Sequence, residues 1–112
     1  HSNCGGCAAL HKSPEELQHI PNVARWLDAS HEVKERVKKQ VVEGTPEEQE
    51  WLTEQINILV QMRNLLTYPY IRERYDQGNI EIFGWYYIIE TGEIFNFNDH
   101  TETFELITTP SE

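Results

Sequence analysis

Residues 80–98 read Ile-Glu-Ile-Phe-Gly-Trp-Tyr-Tyr-Ile-Ile-Glu-Thr-Gly-Glu-Ile-Phe-Asn-Phe-Asn. In an extended chain, alternate side chains point to opposite faces. Ile80, Ile82, Gly84, Tyr86 and Ile88 therefore share one face, and Glu81, Phe83, Trp85, Tyr87 and Ile89 the other. Both sets are largely apolar, which is the pattern of a strand covered on both faces. Thr91-Gly92 supplies a tight turn, and residues 93–98 return as a second strand. The reading is a β-hairpin. A two-stranded hairpin is not a stable sheet by itself. A strand apolar on both faces needs neighbours, and the rest of the chain offers no other clear strand.

Upstream the period is helical. The first ten residues, His-Ser-Asn-Cys-Gly-Gly-Cys-Ala-Ala-Leu, read as a loop running into a short helix. Pro21 can open a second helix with Val23, Trp26 and Leu27 on one face. Ser30 can cap a third, 31–42, in which Val33, Val37 and Val41 recur at helical spacing and Gly44 provides the stop. Thr45-Pro46-Glu47-Glu48 is a restart, with Thr45 and Glu48 placed for a capping box and Pro46 at the first helical position. That helix runs to about Leu66, burying Leu52, Ile56, Leu59 and Leu66, with Gln55 and Arg63 at the margin. Tyr68-Pro69 breaks it. A short helix over 69–77 ends at Gly78. The tail beyond Asp99 is polar, with Phe104, Leu106 and Ile107 as its anchors.

The whole is 112 residues, one domain's worth at most. Nineteen acidic against nine basic residues give a net charge of −10, which repels phosphate backbones and anionic lipid. No apolar run is long enough to span a membrane as a helix, and no secretory signal opens the chain. Two closely spaced cysteines suit a reducing compartment, hence the cytoplasm, better than a disulfide scaffold.

The chemistry concentrates at the beginning. His1-Ser2-Asn3-Cys4 offers imidazole and thiolate three residues apart, a donor pair suited to zinc. Gly5 and Gly6 allow close backbone approach, and a helix start there favours a thiolate or a bound anion. Two other readings stand beside this one: incidental ligands at a terminus, and a Cys4-Cys7 dithiol. Cys7 also suits a small buried thiol on the first helix. His11, His19, His31 and His100 read as surface histidines. Glu47, Glu48 and Glu50 read as a helix start, and Trp26, Trp51 and Trp85 as core or interface residues.

Two separated pieces, His1-Ser2-Asn3-Cys4-Gly5 and Gly84-Trp85-Tyr86-Tyr87-Ile88-Ile89-Glu90-Thr91-Gly92, together resemble the C-terminal half of a β-class carbonic anhydrase. That family has a His-Ser-x-Cys-Gly zinc motif and a late Gly-Trp-x-Tyr-x-x-x-Thr-Gly strand and turn. The helix through Trp51-Leu52 to Leu66 and the break at Tyr68-Pro69-Tyr70-Ile71-Arg72-Glu73 fall between them in the family's order.

The resemblance implies an α/β fold whose parallel-sheet N-terminal half lies outside these residues, so that 1–112 is a single-domain fragment. The non-Met start fits that expectation. It implies zinc-dependent reversible hydration of carbon dioxide to bicarbonate and a proton, through zinc-bound hydroxide, in the complete protein. His1 and Cys4 match two zinc ligands, and the Gly5 and Gly6 amides are candidate substrate contacts. The third ligand and the catalytic Asp-Arg dyad belong to a Cys-x-Asp-Ser-Arg motif that this chain does not contain, so no catalytic residue is assigned here and the isolated chain is expected to be inactive. Tyr87 could match a tyrosine of a non-catalytic bicarbonate site. The expected assembly is a homodimer or larger, joined with the N-terminal half. The alternatives are an inactive zinc-binding relative, or one acting on another small molecule such as carbon disulfide.

Overall fold

The structure, a computed structural model, describes residues 1–40 and 44–108. The chain divides into two compact units, Asn3–Asn57 and His1–Ser2 with Ile58–Glu112.

The first unit is helical: α1 (Gly5–Ala9), α2 (Pro14–Leu17), α3 (Pro21–Leu27), a 3-10 turn (Asp28–Ser30), α4 (His31–Gln40) and most of α5 (Pro46–Leu65). Its starts are written locally. Ser13 accepts a hydrogen bond from the Glu16 amide while the Glu16 carboxylate returns to the Ser13 amide, and Pro14 takes the first helical position. This short helix is absent from the sequence expectations, although Ser-Pro-Glu-Glu is the same start pattern as Thr-Pro-Glu-Glu. The expected box at Thr45 and Glu48 is present in both directions at 3.2 Å. Ser30 does not cap a separate helix, because the 3-10 turn leads straight into α4.

Val33 and Val37 are fully buried on α4, and Cys7, Leu10, Leu27 and Ile56 are buried in the same unit. Burial of each such aliphatic side chain contributes about 1.5–3 kcal/mol. Val41 and Val42, expected on the same helix, lie outside the described residues. The buried stripe of α5 is Thr53, Ile56 and Val60, with Glu54 beside it, while Leu52 and Leu59 are half-buried.

The second unit carries the end of α5, then α6 (Pro69–Asp76), β1 (Trp85–Tyr87), β2 (Ile94–Asn98) and β3 (Thr103–Leu106). Gly78, at φ +75°, ends the α6 segment, and Gly92, at φ +76°, makes the turn into β2. The sheet is antiparallel in the order β1-β2-β3. The third strand corrects the single-hairpin expectation. Phe104 and Leu106 alternate as a strand's residues do, and Phe104 pairs with Phe97. One face of the sheet gathers Tyr86, Phe97 and Phe104, with ring centroids 5.3 and 6.2 Å apart.

The regular part of the first strand is also shorter than residues 80–89. The Phe97 amide bonds the Gly84 carbonyl at 2.8 Å, and β2 ends one residue later, so residues 80–83 have no partner in β2. Only one face is covered. Tyr86 and Gly84 are buried, whereas Phe83, Trp85, Tyr87 and Ile89 are exposed. Trp26, Trp51 and Trp85 are 70%, 52% and 56% exposed, which removes the core reading of all three. Among the described residues no helix is long and apolar enough to cross a membrane.

Candidate metal centre

His1 and Ser2 are tied to the end of β1. The Ser2 amide donates to the Tyr87 carbonyl at 2.8 Å, and the Ile89 amide donates to Ser2 Oγ at 2.8 Å. Ser2 Oγ donates in turn to the Glu90 carboxylate at 2.9 Å. The two motifs noted in the sequence, eighty-odd residues apart, are thus one hydrogen-bonded structure at Ser2. The serine's role could not be read from spacing.

His1 Nδ1 lies 2.7 Å from the Ser2 carbonyl oxygen. A carbonyl only accepts, so Nδ1 carries a proton, and in the neutral ring the lone pair is then on Nε2. That is the tautomer a metal-ligating histidine uses when its other ring nitrogen is held by a carbonyl. Asn3, at φ +54°, turns the chain in a left-handed conformation that asparagine tolerates.

Cys4 is the N-cap of α1, half-buried and not in a disulfide. Its amide donates to Glu54 Oε2 at 2.9 Å. Glu54, only 3% exposed on α5, was missed in the sequence because it sits among polar neighbours in a solvated-looking turn. Gly5 and Gly6 lie in the first turn of α1, whose N–H groups have no intrahelical acceptor. Close approach does not require either glycine. A Cβ on Gly5 would meet open space, and one on Gly6 would be 3.8 Å from Cys4 Sγ and Trp26.

Cys7 is buried on α1, as expected. Burial first, then the neighbouring Cys4, to which it hydrogen-bonds, and Glu54 push its thiol up to about 12. Without a metal it stays protonated at neutral pH. His11 is not the surface histidine expected. It is part-buried, with Nε2 2.8 Å from Thr53 Oγ1. Thr53 donates its own proton to the Gln49 carbonyl at 2.6 Å, so His11 Nε2–H is the donor. Burial, then the positive charges of Lys34 and Lys38, lower the His11 pKa. His19, His31 and His100 are exposed, as expected.

Among the described residues no group of three or more His, Cys, Asp or Glu is assembled as a metal site. An imidazole whose neutral form has Nε2 available and a free thiol at a helix start are nonetheless donors that zinc accepts. The chemistry of the pair fits zinc as a partial ligand set.

The fold is of the α/β class, with a candidate donor pair, His1 and Cys4, at the start of the sequence. Comparison with known proteins identifies the class: residues 1–94 match the family model described as carbonic anhydrase. A carbonic anhydrase of Helicobacter pylori (strain ATCC 700392 / 26695) is 38% identical over 110 residues, covering 96% of this chain and 50% of that protein. One from Synechococcus elongatus is 32% identical over 98 residues, covering 88% of this chain and 36% of its own length. The solved structure of the β-carbonic anhydrase CcaA superposes with a TM-score of 0.91 at 30% identity, over 96% of this chain and 52% of that one. The chain belongs to the β-class carbonic anhydrase family. It spans about half the length of the curated relatives it matches, or less.

Proposed function

We propose that this chain supplies part of the site of a zinc-dependent carbonic anhydrase, which in the complete protein interconverts carbon dioxide and bicarbonate. The observation that carries the reading is the His1 ring. Its Nδ1–H is committed to the Ser2 carbonyl, and Nε2 is left as a donor three residues before a free cysteine. His1 Nε2 and Cys4 Sγ would be two of the zinc ligands. The metal, when bound, lowers the pKa of a water toward neutrality and so supplies the nucleophile.

The chain's own residues do the holding. Ser2 ties the histidine to β1 through Tyr87 and Ile89. Glu54 fixes the Cys4 backbone. The Gly5 and Gly6 amides are donors for a substrate oxygen. The remaining ligand and the Asp-Arg dyad would come from outside residues 1–112, as would strands lying against the exposed face of β1. The relatives' greater length and the exposed Trp85 and Tyr87 support that arrangement. We further place the protein in the cytoplasm as a homodimer or larger assembly, with 1–112 one part of a single domain.

Metal analysis of the complete protein tests the assignment. Stoichiometric zinc is expected, with loss of most of it in Cys4→Ser. Full zinc retention by a folded Cys4→Ser variant would overturn Cys4 as a ligand. Zinc bound without carbon dioxide hydration would favour the inactive relative.

A further inference from the structure

Cys7 is unused by the proposed site, yet it is placed with care. Cys4 is the N-cap of α1 and Cys7 its third residue. The Ala8 amide bonds the Cys4 carbonyl at 3.0 Å, so the helical path already runs from Cys4. Helix rise and radius then set the two Cα atoms about 5 Å apart. Disulfides span about 4.4–6.8 Å between Cα atoms. Both thiols are free. Their exposure differs. Cys4 is half-buried and within reach of a small oxidant, whereas Cys7 is buried behind it. An accessible cysteine with a sheltered one three residues on, on the same helical turn, is the arrangement of an oxidisable cysteine and its resolving partner.

We propose that Cys4 and Cys7 form an oxidative modification site that closes to an intramolecular disulfide with a peroxide as oxidant, withdrawing Cys4 from metal binding. In the first step Cys4 Sγ attacks a peroxide oxygen. The O–O bond breaks, and Cys4 becomes a sulfenic acid as one water leaves. In the second step Cys7 Sγ attacks the Cys4 sulfur. The S–O bond breaks, the S–S bond forms, and the departing hydroxyl leaves as a second water with the Cys7 proton. The pair loses two electrons and two protons, and one peroxide becomes two waters. Reduction by a dithiol reverses the change. The modification itself stands on the geometry of α1. Its effect on zinc rests on the assignment of Cys4 as a ligand.

The test uses the complete protein, both zinc-loaded and stripped by a chelator, exposed to hydrogen peroxide and then quenched with iodoacetamide. Mass spectrometry of the peptide carrying both residues is expected to show a loss of two hydrogens and no alkylation in the stripped protein. Dithiothreitol should restore both alkylations. In the zinc-loaded protein the same mass loss should accompany release of zinc. In Cys7→Ser, Cys4 should instead gain oxygen without a disulfide. Oxidised Cys4 beside a Cys7 that still alkylates, in the stripped wild-type protein, would overturn the proposal and leave the zinc assignment standing. A disulfide formed in the loaded protein with zinc retained would uphold the modification and overturn Cys4 as a ligand. The wild-type measurement needs no variant to fold.

Discussion

At the residue scale, two side chains set measurable consequences. His11 is neutral in the fold because burial and the charges of Lys34 and Lys38 oppose its protonation. Its folded pKa lies below the unfolded value, so the unfolded chain binds the extra proton first. The stabilising contribution is therefore complete above the unfolded pKa of about 6.5 and lost as pH falls through the folded value. Urea midpoints of the complete protein should fall from pH 7 toward pH 5, and His11→Gln should flatten that slope. An equally steep slope in the variant would remove His11 as its source. Glu54 acts on Cys4, the proposed ligand, through the backbone, since its carboxylate accepts from the Cys4 amide. Partners of this outer kind are typically worth about 10–100-fold in metal affinity. Glu54→Ala should weaken zinc binding by about that much in a chelator competition. Glu54→Gln, which keeps an acceptor oxygen, should recover most of it.

At the scale of elements, Gly84 decides how the end of α5 meets the sheet. It is buried, and its carbonyl accepts the Phe97 amide that extends the β1-β2 pairing. A Cβ here would run into Met62 Sδ and come within 3.0 Å of Ile58 Cγ2. Met62 can swing aside, but Ile58 is β-branched and stiff at χ1. The close approach of helix to strand is thus the reason for glycine, and its φ is not. Gly84→Ala should cost about 1–3 kcal/mol, the range for overpacking a filled core, read as a lowered urea midpoint with unchanged m. Gly84→Ala paired with Ile58→Leu, which removes the Cγ2 branch at Cβ, should recover part of the loss. No recovery would place the strain elsewhere.

At the scale of the whole molecule, the exposed row of Phe83, Trp85, Tyr87 and Ile89 beside the edge of β1 is too much apolar surface for a finished sheet. If strands from outside residues 1–112 cover it, the isolated chain lacks both that cover and the rest of the ligand set. Stopped-flow carbon dioxide hydration by residues 1–112 with added zinc should therefore be at background, beside a complete protein that is active. Hydrogen exchange gives an independent reading. The amides of 84–98 should be strongly protected in the complete protein and exchange far faster in the isolated chain. Comparable activity and protection in both would show that 1–112 needs no further strands.

The helix starts at Pro21 and at Thr45-Pro46-Glu48, the break at Tyr68-Pro69, the stop at Gly78 and the Thr91-Gly92 turn of the hairpin were all legible in the chain. Each depends on residues within four positions of one another, where rotamer preference, capping and positive φ act without help from the rest of the fold. The two family motifs were legible for the same reason. Long-range placement was not. The His11–Thr53, Cys4–Glu54 and Ser2–Glu90 bonds join residues 42, 50 and 88 apart, and no local period encodes them. The third strand exists only because β2 offers Phe104 and Leu106 an apolar face to pair on. Whether Trp85 and Tyr87 are core or surface depends on which layers are present to cover them. The sequence by itself determined where helices and turns begin and end and which donors stand at the metal motif. Tertiary structure alone decided which polar side chains are buried to hold those donors, because burial and hydrogen bonding are properties of the packed neighbours.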